Sequence, residues 1–99
     1  MKTLDINAKE WFDRINGNSY FAVNIIIDFG YNTQKEIFLP LQYGYGDHYL
    51  SIVKKTLLET KDIKETNQNI ISYCQDNGII IRYSKQTNCR KKDLKQENF

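Results

Sequence analysis

The segment from residue 43 to residue 49 holds most of the side chains that could do chemistry. It reads Tyr-Gly-Tyr-Gly-Asp-His-Tyr and contains the only histidine of the chain. His48 beside Asp47 is a pair from which general-base catalysis could be built. Neighbouring residues on a helix do not face each other, however, and no serine or cysteine is placed as a nucleophile. The sequence therefore predicts no catalytic constellation and favours a protein that is not an enzyme.

The same segment offers two binding chemistries. Glycines before a helix could let main-chain amides approach an anion, but Gly44 and Gly46 fit neither the Walker pattern nor the dinucleotide fingerprint, and Asp47 would repel a phosphate. A flexible turn that Asp47 caps is the plain structural interpretation. The functional interpretation is a recognition surface, because tyrosine gives large contact area at low entropy cost. The candidate partner-binding residues are Tyr43, Tyr45, Asp47, His48 and Tyr49.

Basic residues are concentrated near the C-terminus. The 99 residues carry a formal net charge of +2, but residues 1–78 hold eight basic and ten acidic side chains, and residues 79–99 hold six basic and two acidic ones. The basic stretch could contact nucleic-acid phosphates or an acidic partner, while Tyr83 or the tyrosines near Gly44 stack on bases. A solvated terminus is the plain alternative. The candidate contacts are Arg82, Lys85, Arg90, Lys91, Lys92 and Lys95.

Composition restricts the class of protein. Hydrophobic residues make up 40% of the chain and charged residues 26%, which is typical of one globular domain. No apolar run approaches the roughly 20 residues that span a bilayer, and the N-terminus lacks a secretory signal, so we expect a cytoplasmic protein. Cys74 and Cys89 are then free thiols. With His48 they are too few for a zinc site, so no metal or cofactor is predicted.

The N-terminal part has the pattern of a short amphipathic helix. Asn7 and Glu10 form a possible capping box, and Asn16-Gly17 is a typical helix end. The apolar residues at helical spacing are Ala8, Trp11, Phe12 and Ile15. This pattern predicts that Trp11 and Phe12 lie in the core.

The remainder predicts a hairpin, two helices and a last strand. These elements fall at residues 19–28, 34–42, 48–60, 66–76 and 79–84, and Pro40 indicates a sheet edge or a strand end. The predicted fold is α+β, with a mainly antiparallel three-stranded sheet, helices on one face and the order α-β-β-α-α-β. Residues 1–86 form the predicted domain, and residues 87–99 a basic, frayed tail.

Several segments resemble a family of small uncharacterised proteins encoded by phages and prophages. They are residues 10–14, 17–21, 42–49 and 73–79. The resemblance implies an accessory role in the host cell, such as binding and blocking a host defence protein or ribonucleoprotein in the manner of an anti-CRISPR, and it supplies no catalytic residues. The alternative hypothesis is a small nucleic-acid-binding module. Either protein is expected to be a monomer or a weak homodimer.

Overall fold

A four-stranded mixed sheet organises the chain, with two helices on one face. The computed structural model describes residues 1–99. The elements are β1 (Thr3–Asp13), β2 (Asn18–Ile27), β3 (Lys35–Tyr43), α1 (His48–Glu59), α2 (Ile70–Asp76) and β4 (Ile80–Cys89). Two short 3-10 turns, Lys91–Leu94 and Gln96–Asn98, complete the chain. Neither helix has the length and the apolar character that crossing a membrane would require.

The strand order is β3-β2-β1-β4. β1 pairs antiparallel with β2 and parallel with β4, and β2 pairs antiparallel with β3. The predicted α+β class is confirmed, whereas the three-stranded antiparallel sheet and its element order are wrong. The predicted position of Pro40 at a sheet edge is confirmed, because β3 is an edge strand whose register with β2 shifts between Phe21 and Val23.

The first predicted helix is a strand. Its apolar residues also fit a period of two, and Leu4, Ile6 and Ala8 are all buried on one face of β1. A helix here would leave β4 with no strand partner and β2 with β3 alone, so tertiary pairing overrides the local pattern. Gly17, at φ +70°, closes the β1–β2 hairpin instead of ending a helix.

Because residues 3–13 form a strand and not a helix, Phe12 lies outside the core. Phe12 and Ile15 are exposed, and Trp11 is half-buried on the face that the helices do not cover. The predicted core positions of Trp11 and Phe12 are therefore wrong. The core instead joins the covered face of the sheet to the buried side of the helices, and its fully buried members include Leu4, Ile6, Phe21, Val23, Ile25, Val53, Leu57, Ile70 and Cys74.

The two predicted helices are present with changed limits. α1 ends one residue before the predicted limit, whereas α2 begins four residues later than predicted. Asn69 sets that start, because its side-chain oxygen accepts a hydrogen bond from the Ser72 amide at 2.8 Å. The last strand is longer than predicted, and the boundary expected at residue 87 falls inside it.

Residues 90–99, which we call the C-terminal strap, cross the face of the sheet that the helices do not cover. We call this the second face. Leu94 is only 3% exposed and packs with Ala22 and Cys89 in a small second core. Phe99 meets Phe38 of β3 edge-on at 5.4 Å between ring centroids. The polar composition of the segment predicts fraying, but these apolar side chains hold it against the sheet.

Leu94→Ala should detach the strap. The substitution removes a buried side chain, and we expect the free energy of unfolding to fall by about 2 kcal/mol or more. Glu97→Ala, at an exposed position of the same strap, should change it by less than about 0.5 kcal/mol. Urea titration followed by circular dichroism measures both. Equal stability of the two variants would show that the strap is not docked.

A buried carboxylate ties the N-terminus to the hairpin between β2 and β3. Asp28 accepts hydrogen bonds from the amides of Lys2 and Thr3 and from the Thr33 hydroxyl, the last at 2.7 Å. The Lys2 amide and the Thr33 hydroxyl lower the pKa of Asp28, since both stabilise its charged form. Asp28 lies at φ +54°, a conformation that Asn also tolerates.

Asp28→Asn should therefore be destabilising in a pH-dependent way. Because the pKa is lowered in the folded chain, the stabilisation is complete above the unfolded value of about 4 and disappears as the pH falls through the folded value. The difference between wild type and Asp28→Asn should be largest near neutral pH and shrink in acid. Urea titrations across that range measure it. A difference that stays constant with pH would contradict this role.

Candidate functional site

Three aromatic side chains form a row across one end of the second face. Trp11 of β1 lies opposite Tyr20 of β2, which lies opposite Tyr43 of β3. Trp11 and Tyr20 are stacked at 5.5 Å between centroids with planes 27° apart, and Tyr20 meets Tyr43 edge-on at 6.0 Å. We call these residues the aromatic row. Tyr43 is 60% exposed, so the row ends in an open tyrosine ring.

The strap covers the row only in part: Trp11 and Tyr20 are half-buried and Trp11 packs against the small second core, whereas Tyr43 is exposed. The helices pack on the opposite face, and the strap crosses the sheet at Ala22, two residues from Tyr20 along β2. Lys91 of the strap lies over the Trp11 ring, with its ammonium 5.6 Å from the centroid. This is a cation–π contact, and it places a positive charge beside the row.

A basic groove adjoins the row where the strap meets β3. Pro40 and Leu41 lie together opposite Ala22, since the register of β3 shifts by one residue there. The bulge leaves an open groove of about 640 Å³ between β3 and the strap. The lining residues are Phe38, Pro40, Leu41, Lys91, Lys92, Leu94, Lys95 and Gln96. The groove therefore combines an apolar wall with three lysines.

Ion pairs divide the six predicted basic contacts into two sets. Arg82 binds both carboxylate oxygens of Asp5, at 2.6 and 2.9 Å. Lys85 turns inward, where its ammonium bonds to Glu10 at 3.1 Å and to the Gly46 carbonyl at 2.8 Å. These two cations lie on opposite faces of β4 and are already neutralised.

The remaining basic residues all belong to the strap. Arg90 pairs with Asp93 at 3.5 Å, and the Arg90 amide lowers the pKa of that carboxyl. Lys91, Lys92 and Lys95 form no ion pair within the chain. Three of the six predicted basic contacts, Lys91, Lys92 and Lys95, therefore lie together at the groove without an ion-pair partner. Arg82 and Lys85 lie apart from them on β4.

The tyrosine-rich turn is split between surface and core. Tyr43 belongs to the aromatic row and Tyr45 is exposed, but Tyr49, in the first turn of α1, is only 4% exposed and packs in the core. Burial also raises the pKa of the Tyr49 hydroxyl. Tyr49 thus stabilises the fold and presents no ring to a partner.

His48 and Asp47 lie at the exposed start of α1 without forming a catalytic pair. The His48 ring packs edge-on against Phe21 at 6.0 Å. Asp47 occupies the N-cap position, but its side chain makes no capping hydrogen bond, contrary to the sequence expectation. Neither cysteine supplies a nucleophile, because both are buried, and burial raises the pKa of the Cys74 thiol to about 11. No group of three or more His, Cys, Asp or Glu side chains could hold a metal ion.

Trp11 and Tyr20 are the site residues that the sequence reasoning missed. Their positions on either side of Asn16-Gly17 are what a hairpin turn would place opposite each other. The same Asn16-Gly17 pair is typical of a helix end, and that interpretation does not place Trp11 and Tyr20 opposite each other.

Comparison with known proteins suggests no function, so the proposal below is argued from the geometry of the site. No family model, curated protein or solved structure matches the chain.

Gly44 fixes the turn that follows the aromatic row. A Cβ atom at this position would lie 2.5 Å from Phe21 Cε1 and 2.8 Å from His48 Cδ2. Gly44 also lies at φ +156°, which side chains rarely adopt, so Gly44→Ala should lower the free energy of unfolding by that backbone cost and by about 1–3 kcal/mol more through overpacking. Gly46→Ala is the matched control, because it meets open space and suffers only the left-handed backbone cost of about 1 kcal/mol. Chemical denaturation measures both. A smaller loss for Gly44→Ala would show that the turn is not tightly packed.

Proposed function

We propose that this protein binds single-stranded nucleic acid on the second face of its sheet. The observation that carries the proposal is the aromatic row lying next to three unpaired lysines of the strap. Single-strand-binding surfaces combine these two features, since aromatic rings stack on bases and cations follow the phosphates. Neither feature requires a catalytic residue or a cofactor.

The aromatic row supplies the stacking part. Trp11, Tyr20 and Tyr43 belong to three adjacent strands, so the ladder sets their spacing, and the mutual stacking of Trp11 and Tyr20 restricts those two side chains before binding. Base–aromatic stacking contributes about 1–3 kcal/mol per base and works for every base. A surface of this kind favours unpaired strands, whose bases can reach a ring, over duplexes, whose bases are already stacked.

The strap supplies the electrostatic part. Lys91, Lys92 and Lys95 line the groove beside the row, and none has a carboxylate partner in the chain. Because phosphate contacts release counterions, each should add about 0.7 to the salt slope of binding to a single strand. The neutralised Arg82 and Lys85 are not part of the proposed surface, which revises the candidate set to the strap lysines.

The proposal predicts quenching of the single tryptophan by an oligonucleotide. Trp11 is the only tryptophan of the chain, so its fluorescence reports on the row. Titration with oligo(dT) or oligo(U) of about ten nucleotides should quench it and give a dissociation constant. Tyr43→Ala should weaken binding by about fivefold to a hundredfold, corresponding to one lost stacking contact. Tyr83→Ala removes another half-exposed tyrosine from the helix-covered face and should leave the affinity unchanged.

A matched pair of triple variants tests the electrostatic part. Replacing Lys91, Lys92 and Lys95 by Gln should lower the salt slope by about 2. Replacing Lys54, Lys55 and Lys64 by Gln removes the same charge from the helix side and should leave the slope nearly unchanged. Equal slopes for the two triple variants, or no binding by wild type at low salt, would contradict the proposal.

The role implied by the sequence resemblance, blocking a host defence complex, stays a prediction. The proposed surface would suit it if the target displays single-stranded nucleic acid, as RNA-guided effectors do. Affinity purification from a host lysate, with and without nuclease treatment, measures this. Recovery of a ribonucleoprotein that is lost on nuclease treatment is the expected result, and no stable partner at low salt would contradict the role.

A further inference from the structure

The two edges of the sheet differ in how they are protected. The β3 edge contains Pro40 and the bulge beside it, and both features discourage pairing with another strand. The β4 edge is ten residues long, Ile80–Cys89, and contains no proline. Its register with β1 is regular from Thr3 to Lys9, and the shift comes only near its end. β4 thus presents a straight strand edge to solvent.

The main-chain groups of this edge have no partner within the chain. The Ile80 amide donates to the Lys2 carbonyl at 3.0 Å, so it points toward β1. Alternation along the strand then directs the amides and carbonyls of Ile81, Tyr83 and Lys85 outward. No hydrogen bond outside the ladder involves the main chain between residues 81 and 85.

Charged side chains on an edge strand usually discourage pairing with another strand, but the two charged residues of β4 form ion pairs with β1. Arg82 is held by Asp5 on one face, and Lys85 is held by Glu10 on the other. Two apolar side chains lie exposed on the same strand, Ile80 at 61% and Tyr83 at 49%. Edge strands usually avoid pairing by displaying charge, and β4 instead displays apolar surface beside open hydrogen-bonding groups.

We propose that β4 pairs with β4 of a second copy, antiparallel about a two-fold axis at Tyr83. In this register Tyr83 faces Tyr83 of the second copy, and Ile81 faces Lys85. Arg82 faces Ser84, so no like charges lie opposite each other. This register therefore opposes no like charges and pairs the two Tyr83 rings, and the net charge of +2 gives little long-range repulsion between copies.

The resulting dimer has one continuous eight-stranded sheet. Growth stops there, because the outer edges are then the two β3 strands with their proline and bulge. A single strand-to-strand contact is smaller than a standard protein interface, so the dissociation constant should be micromolar to millimolar. The pairing uses the edge opposite the groove and does not depend on nucleic-acid binding.

Sedimentation equilibrium of the full chain tests this pairing. Wild type from about 10 µM to about 1 mM should show a monomer–dimer equilibrium with no larger species. Tyr83→Lys should weaken dimerisation about tenfold or more, because it places like charges opposite each other at the axis. Tyr43→Lys makes the same change on the protected edge strand and should leave the dimer intact. Circular dichroism verifies that each variant is folded.

A charge swap makes the test specific to the two-fold axis. Tyr83→Glu alone should also be monomeric, whereas an equimolar mixture of Tyr83→Lys and Tyr83→Glu should recover the dimer through opposite charges. Three results would overturn the proposal: a monomer at every concentration, a dimer that Tyr83→Lys leaves unchanged, or a mixture that fails to associate.

Discussion

The central position of β1 in the sheet is the constraint on which the rest of the structure depends. It forms ladders on both sides, antiparallel with β2 and parallel with β4, so its main chain cannot form the helix that its own spacing favours. Its alternate residues bury Leu4, Ile6 and Ala8 under the helices. Because side chains alternate along a strand, the intervening residues, including Lys9 and Trp11, point to the opposite face. The two helices do not cover that face.

The partial covering of that second face produces the candidate site. A short strap with two apolar anchors, Leu94 and Phe99, crosses the sheet without reaching its end. The part of the aromatic row that ends in Tyr43 remains uncovered, and the strap places its lysines beside the row. Packing and the proposed binding are thus linked, since the residues that hold the strap in place also position the charges. Weakening the anchors should therefore affect affinity as well as stability.

Local signals predicted part of this structure, and long-range pairing decided the rest. α1 and the β2–β3 hairpin follow from periodicity and turn residues. Pro40 indicates the edge of the sheet because proline has no N–H to donate to a neighbouring strand. Residues 7–17 match three sequence patterns of a helix: a capping box, apolar residues at helical spacing and a C-terminal glycine. Only the pairing with a strand on each side shows that most of them belong to β1. In the strap, Leu94 and Phe99 are isolated among charges, and their partners Ala22 and Phe38 lie far away in sequence. In the candidate site, the sequence predicts Tyr43 and the three strap lysines, while Trp11 and Tyr20 follow only from the strand register.

The second face of the sheet is the surface that we propose for binding the strand. Amide chemical-shift mapping with labelled protein and a short oligo(dT) or oligo(U) strand shows directly which residues the strand contacts. We expect shifts clustered at Trp11, Tyr20, Tyr43 and the strap residues 91–95, with α1 and α2 unaffected. Shifts confined to the helix side, or no shifts at low salt, would contradict the proposal.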